Sequence, residues 1–501
     1  MRQKGYLAMD FGGSSGRGVT GVFDGEQLKI QEIHRFPNYI VHLAGEDYWD
    51  LLYLYDQIRH AACKACSPEK SLEMISVGID TWGTDYGLLD AAGKFLYGGH
   101  CTRNSKGKGE RELQKRFGSL ELYRRTGSYS HKGGTFCQLY EQKISGNIFL
   151  AGADKMLMLP DLFAAFLTGE KGTEYTAAAT TMMLDPVKRD WDRELLRAAG
   201  LPEKIFSEIF LPGTRIYQLL PELSRMWQIP SLGCVPVAGH DTASAVSAAP
   251  LRRGEAFCSS GTWSLLGIET EAPLITEKSF AGHFSNEGML NGKSRLTRNC
   301  MGMWALQQSL RRWFPEHQKI PWNLVLEEAE KAEAFRSLIN LEQPVFGGTG
   351  DLNDRLRDYC IQTGQPKPET RGQTVRCILE SMALGYRLVI DQLQDAVGQR
   401  ITGLYIVGGG GKNDLLNQFA ADALNRPVTV GPAEAACIGN LLTQAMAFGE
   451  LDHMEQIRQV VRRSFGEKIY EPKNPEAWEE AYGRYQDLIK KEQILWQEKL
   501  W

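Results

Sequence analysis

The chain has 501 residues, of which 43% are apolar and 24% charged, and its formal net charge is -4. That balance excludes a disordered polyelectrolyte and leaves no basic stripe for nucleic acid. The length exceeds one ordinary core, so two domains are expected, over residues 1–249 and 250–501.

Tyr6 to Phe11 reads as a strand and Gly12 to Gly16 as a turn; no signal-type leader precedes the strand, and no stretch has the ~18 apolar residues of a membrane span. A cytoplasmic protein with no membrane partner is the expectation. Val19 to Phe23 and Leu28 to Ile33 return as strands around Asp24-Gly25, a hairpin signal. A helix from about Tyr48 to Cys66 and a strand from Met74 to Asp80 follow. The apolar Cys234 to Val237 leads into Gly239-His240-Asp241-Thr242, where a helix opens. The segment Ala249 to Gly254, with its proline, glycine and arginines, marks the domain boundary.

Beyond it, Glu255 to Ser259 and Trp263 to Ile268 form a second hairpin around Ser260-Gly261-Thr262. A long helix spans Arg371 to about Ala396, and the strand Leu404 to Val407 ends in Gly408 to Gly411 before a helix over Leu415 to Leu424. Pro475 to Trp501 reads as a charged helix containing aromatic residues. Each half thus places a hairpin first and a helix and strand later, the pattern of an α/β duplication with one ligand gripped between two domains.

Several turns carry polar groups suited to chemistry. Asp10 followed by Gly13, Ser14, Ser15, Gly16 and Arg17 reads either as an ordinary tight turn or as a phosphate cradle whose carboxylate holds a magnesium ion through water. It is not a Walker loop, and Gly292-Lys293-Ser294 is not one either, because Glu287 stands where the first glycine should be. The glycine run from Gly408 lacks the spacing of a dinucleotide fingerprint, which disfavours a dehydrogenase. Asp241 reads as a helix cap or as a general base at a strand end. Asp80 to Gly87, with two carboxylates and the rings of Trp82 and Tyr86, suits a sugar pocket. Asn299 and Gln307 are read as inward-facing polar groups of one amphipathic helix. Among the ten cysteines, Cys63 and Cys66 read as ordinary thiols near a helix end, and Cys360 and Cys377 flank a Gly/Pro-containing turn across which they could approach each other, a stable bridge being disfavoured in a cytosolic protein.

Together these segments resemble the FGGY carbohydrate kinases, and most closely their rhamnulokinase branch. The resemblance rests on DFGGSSGR at 10–17, GIDTWGTDYGLLD at 78–90, LMLPDLFAAFLTGE at 157–170, EYTAAATTMMLD at 174–185, PGT at 212–214, AGHDTASAV at 238–246, SSGTWSLLG at 259–267, RNCMGMWALQ at 298–307 and VGGGGKNDLLNQFAADA at 407–423. It implies two actin-like, ribonuclease H-like α/β domains with ATP and sugar meeting in the cleft. It implies ATP contacts at Gly13, Ser14, Ser15, Gly16, Arg17, Thr262, Gln307, Gly409 and Gly410, and Asp10 stays the expected magnesium holder on the reading of its turn. Sugar contacts are implied at Gly83, His240, Asp241, Thr242 and Asn299, with Asp241 as the proton acceptor in place of a simple cap. The implied reaction is phosphorylation of O1 of a 6-deoxyketohexose, best matched by L-rhamnulose. Other ketoses or polyols (L-fuculose, xylulose) and an actin-like ATPase stand as alternatives, and the oligomer, monomer or homodimer, is left open. Thr102-Arg103-Asn104 and Tyr129 to Thr135 depart from the branch pattern, and Trp82 with Tyr129 to Thr135 is expected to line the sugar's wall.

Overall fold

The computed structural model describes residues 3–69, 72–102, 105–315, 318–347 and 350–498, with side chains as far as Glu492. The departing residues Arg103 and Asn104 lie outside the described set. The chain divides into two compact units, the first made of 1–250, 268–297 and 434–466, the second of 251–267, 298–433 and 467–501.

The first unit opens with β1 (Gln3–Phe11), β2 (Ser15–Phe23) and β3 (Leu28–Pro37), then α1 (Leu51–Ala65) and β4 (Leu72–Thr81). Seven consecutive residues of β1 are buried, as expected of a strand covered on both faces. Helix α1 buries Leu51, Leu54, Ile58, Ala61, Ala62 and Ala65, one stripe at helical spacing. Its start is fixed by Asp50, whose side chain accepts from the Tyr53 N–H, and its end by Cys66. After a largely helical insertion the chain returns through Tyr217–Gln218, β5 (Gly233–Val235) and α2 (Asp241–Ser247).

Next come β6 (Glu255–Ser260) and β7 (Trp263–Thr270), then the hairpin β8 (Ser285–Gly288) and β9 (Ser294–Met301), turned at Gly292 with φ of 74°. Then follow α3 (Met303–Leu310), α4 (Arg371–Val397), β10 (Gly403–Val407), α5 (Asp414–Leu424), β11 (Val428–Val430), α6 (Ala435–Ala447), β12 (Lys468–Tyr470) and α7 (Pro475–Glu498). A capping box of Thr370 and Gln373 starts α4, and left-handed Gly398 ends it.

The first sheet runs Tyr217–Gln218, β5, β4, β1, β2, β3, and in the second unit the order is β12, β11, β10, β6, β7. In each, the opening strand pairs antiparallel with its hairpin partner and parallel with a later strand: β1 with β2 and β4, β6 with β7 and β10. On that side of each sheet a further parallel strand and then an antiparallel edge strand follow. The two units therefore repeat one topology, and the catalytic possibilities collect where the parallel strands end.

Helix α6 reaches the first unit's sheet from far along the chain. Asn440 Nδ2 donates to Asp80 Oδ2 at 2.6 Å, Gln444 Nε2 donates to the Leu7 carbonyl at 2.9 Å, and Gln444 Oε1 accepts from the Ser76 hydroxyl at 2.7 Å. Gly78 makes room for them, because a Cβ there would stand 2.4 Å from Asn440 Oδ1.

Candidate active site

In the first unit, register sets the acids side by side. Asp10 on β1 is the partner of Asp80 on β4 and of Arg17 on β2, and a bridge joins Thr81 to His240, the residue before Asp241. Arg17 donates from Nε to Asp10 Oδ2 at 2.8 Å and pairs with Glu434, and the Cys437 thiol donates to the same Asp10 oxygen at 3.5 Å. Asp80 is fully buried; burial and then the Asp10 charge drive its carboxyl well above the usual range, although Asn440 opposes them. Its Oδ1 has no hydrogen-bond partner among the described residues.

Asp241 is the first residue of α2, and its neighbour His240 holds the cap position without a side-chain cap bond. Its carboxylate accepts from the Thr242 hydroxyl at 3.1 Å and is 30% exposed, so a ligand could reach it. Burial raises the Asp241 carboxyl, with Asp10 adding to the rise, while His240 and the Thr242 bonds counter it. The turn before it is pinned by a buried acid: Glu174 accepts from the Gly239 N–H at 2.9 Å and from Thr176 and Ala177, while the His240 N–H donates to the Thr176 hydroxyl at 3.3 Å.

The turn at Gly13 and Ser14 is exposed, with nothing within 4 Å of a Cβ at Gly13, whereas Gly16 is bare because Phe36 lies against it. Gly83 packs on Thr180, and the Thr84 N–H donates to the Thr180 hydroxyl at 3.2 Å. Beside this turn, Trp49 and Trp82 both donate their indole N–H to Asp85 Oδ2, at 2.7 and 2.9 Å, with ring centroids 4.5 Å apart. Burial lifts the Asp85 carboxyl to about 6, although the two indoles pull the other way. The segment from Tyr129 to Thr135 meets this turn at one end, where Thr135 donates to the Thr84 carbonyl at 2.7 Å, while at its other end the Tyr129 ring lies 4.2 Å from that of His283.

The second unit assembles a separate set. The turn Ser260 to Trp263 abuts the glycine run, where a Cβ at Gly410 would stand 2.0 Å from Ser260 Oγ and one at Gly409 would meet nothing. The Met303 and Trp304 N–H groups at the start of α3 donate to the Gly261 and Thr262 carbonyls, at 3.1 Å each. Gln307 is exposed on that helix. Asn299 is not on it: the residue lies exposed on β9, so the two do not share a helical face as their spacing suggested. Gly302, which turns strand into helix, fits because a Cβ would meet the Trp263 carbonyl carbon at 2.6 Å.

Glu174, Glu287, Arg295, Glu434 and Asn440 belong to the first unit's polar network and were not singled out as ligands in the sequence. Only Glu287 drew notice, as a misfit to a phosphate loop. For Glu174 the signal was the cap pattern of a polar residue before Tyr175-Thr176. No helix among the described residues is long and apolar enough to cross a membrane.

Comparison with known proteins fits this geometry. Residues 5–247 match the N-terminal domain, and 256–448 the C-terminal domain, of the FGGY family of carbohydrate kinases. A rhamnulokinase of Bacteroides thetaiotaomicron is 39% identical over 97% of this chain and 100% of its own, and one of Bacillus subtilis is 36% identical over 94% and 96%. The xylulose kinase of Rhodospirillum rubrum superposes with a TM-score of 0.80 over 98% of this chain and all of its own at 17% identity. Gluconate kinase from Lactobacillus acidophilus gives 0.78 over 97% and 96% at 18%. The repeated α/β topology, the acids at the strand ends and these matches lead to one assignment: the chain belongs to the FGGY family of carbohydrate kinases.

Proposed function

We propose that the protein transfers the γ-phosphoryl group of ATP to O1 of L-rhamnulose in the cytoplasm. The observation that carries the reading is Asp241: a partly exposed carboxylate at the start of a helix, pinned by its neighbours and raised toward neutrality by burial. In this reading Asp241 takes the proton from O1 as that oxygen attacks the γ-phosphorus and the bond to ADP breaks. Gly83, His240, Thr242 and Asn299 contact the sugar. Gly13 to Arg17, Thr262, Gln307, Gly409 and Gly410 receive the nucleotide, whose phosphates meet bare backbone and hydroxyls.

Magnesium fits Asp10 in a limited way. Among the described residues no three His, Cys, Asp or Glu side chains are arranged to hold a metal; beside a nucleotide, magnesium commonly takes one carboxylate, waters and phosphate oxygens. When bound, the ion would neutralise phosphate charge. Asp10 is the residue that would hold it, with Arg17 orienting the carboxylate.

The choice of sugar is supported by the named relatives, 33–39% identical over nearly the whole chain. A coupled assay of ADP release over ketoses, aldoses and polyols tests it. A pocket shaped around the 6-methyl must desolvate a 6-hydroxyl without partnering it, so kcat/KM should favour L-rhamnulose over its 6-hydroxy counterpart by roughly ten- to a few hundredfold. Equal values, or a preference for L-fuculose, xylulose or glycerol, would replace the substrate. ATP turnover that no sugar stimulates would replace the reaction.

A further inference from the structure

The hairpin of β8 and β9 delivers a buried ion pair to His240. Register sets Glu287 opposite Arg295, so their side chains leave the same face. Arg295 is fully buried, with its NH2 nitrogen 2.5 Å from Glu287 Oε2 and 2.7 Å from His240 Nδ1, and its Nε 3.2 Å from the same Glu287 oxygen. We propose that Arg295, braced by Glu287, is a positioning residue that fixes the His240 ring proton on Nε2, aiming one N–H donor into the sugar site beside Asp241. The inference rests on the reading of Asp241 and His240 as sugar-site residues.

The argument is one of donor and acceptor capacity. A guanidinium has five N–H donors and no lone pair to offer, so the contact at 2.7 Å requires Nδ1 to accept. The competing arrangement, Nδ1–H donating to Glu287 Oε2, spans 3.4 Å. It would also set that hydrogen against an arginine N–H across the shorter gap. Glu287 Oε2 is already taken by Arg295, and although burial opposes its charge, the Arg295 guanidinium is the leading cause that holds its carboxyl low. The pair therefore stays ionised, each member compensating the other's buried charge.

With Nδ1 committed as an acceptor, the ring proton sits on Nε2, 3.5 Å from Asp241 Oδ1. The opposite tautomer would turn a lone pair toward that carboxylate, repelling it and offering a sugar hydroxyl an acceptor where a donor is needed. The backbone bond from His240 to Thr176 holds the ring's root, and the ion pair holds its far edge. Orientation and protonation are thus set by two residues that need not touch the sugar.

The tautomer can be read directly in the sugar-free protein. Two-bond proton–nitrogen correlation on histidine-labelled enzyme, with His240 assigned by loss of its signals in His240→Gln, should show the Nε2–H pattern. An Nδ1–H pattern overturns the proposal. A kinetic cycle supplies the second arm. Arg295→Lys and His240→Gln should each lower kcat/KM for the sugar by about ten- to a hundredfold, with the KM for ATP unmoved. The double variant should fall no further than His240→Gln, within about twofold. Multiplying losses, or equal losses toward both substrates, would reduce Arg295 to a structural role. Should Arg295→Lys not fold, the tautomer of the unmodified enzyme decides. If the unmodified enzyme ignores L-rhamnulose, the substrate reading falls while the tautomer measurement, which needs no sugar, stands on its own; the cycle is then run with the ketose preferred.

Discussion

Asp80 and Asp241 are neighbouring acids with opposite relations to solvent, and each makes its own prediction. Asp241 is partly open, and its raised carboxyl must lose a proton before it can accept one. As pH falls, kcat/KM for the sugar should drop with an inflection above the ordinary carboxylate value of about 4. Asp241→Asn should abolish that limb and lower turnover by about two to four powers of ten while ATP still binds. A variant retaining a tenth of the activity would remove Asp241 as the base. Asp80 is closed off, and its carboxyl lies well above the unfolded value. For such an acid, stability is greatest below the unfolded pKa and is lost as pH rises toward the folded one. Asp80→Asn keeps the acceptor that faces Asn440 and removes the proton linkage. Its melting temperature should therefore exceed that of the unmodified protein at pH 8 and match it near pH 4, which thermal melts across pH will show.

At the scale of elements, the glycine run offers a paired test. Gly410→Ala puts a methyl 2.0 Å from Ser260 Oγ, overpacking that should cost about 1–3 kcal/mol in a denaturant titration. Gly409→Ala meets nothing, so it should fold normally and raise the KM for ATP if the run receives nucleotide. An unchanged KM would move the nucleotide elsewhere. Elements of this kind were legible: the strand of β1, the hairpin at Asp24-Gly25, α1 and α4 all announced themselves through burial period and turn chemistry. The stretch from Asn299 to Gln307 was not, because a strand's last turn into a helix at Gly302 leaves polar residues at a helix-like spacing. Glu287 and Arg295 escaped for another reason. Their pairing depends on hairpin register, and the contact of Arg295 with His240 joins residues 55 apart in the chain, which no local pattern encodes.

At the scale of the molecule, the first unit is discontinuous. Residues 1–250 lack β8, β9 and α6, and with them the hairpin behind His240 and the Asn440 and Gln444 side chains that bond to β4 and β1. Expressed alone, that fragment should hold secondary structure without fixed packing, giving far-ultraviolet but little near-ultraviolet dichroism and binding an apolar dye. A cooperative melt with native near-ultraviolet dichroism would show the later segments to be dispensable. The seating of α6 also sets a schedule for synthesis. The ribosome makes the first two hundred and fifty residues early, yet their last structural segment ends at residue 466. At ordinary elongation rates that is a delay of roughly 10–40 s, during which the bare faces of β1 and β4 are exposed to chaperones or to aggregation. The unit that begins first is thus completed only once residue 466 has been made, so slowing the codons for 434–466 should tax it.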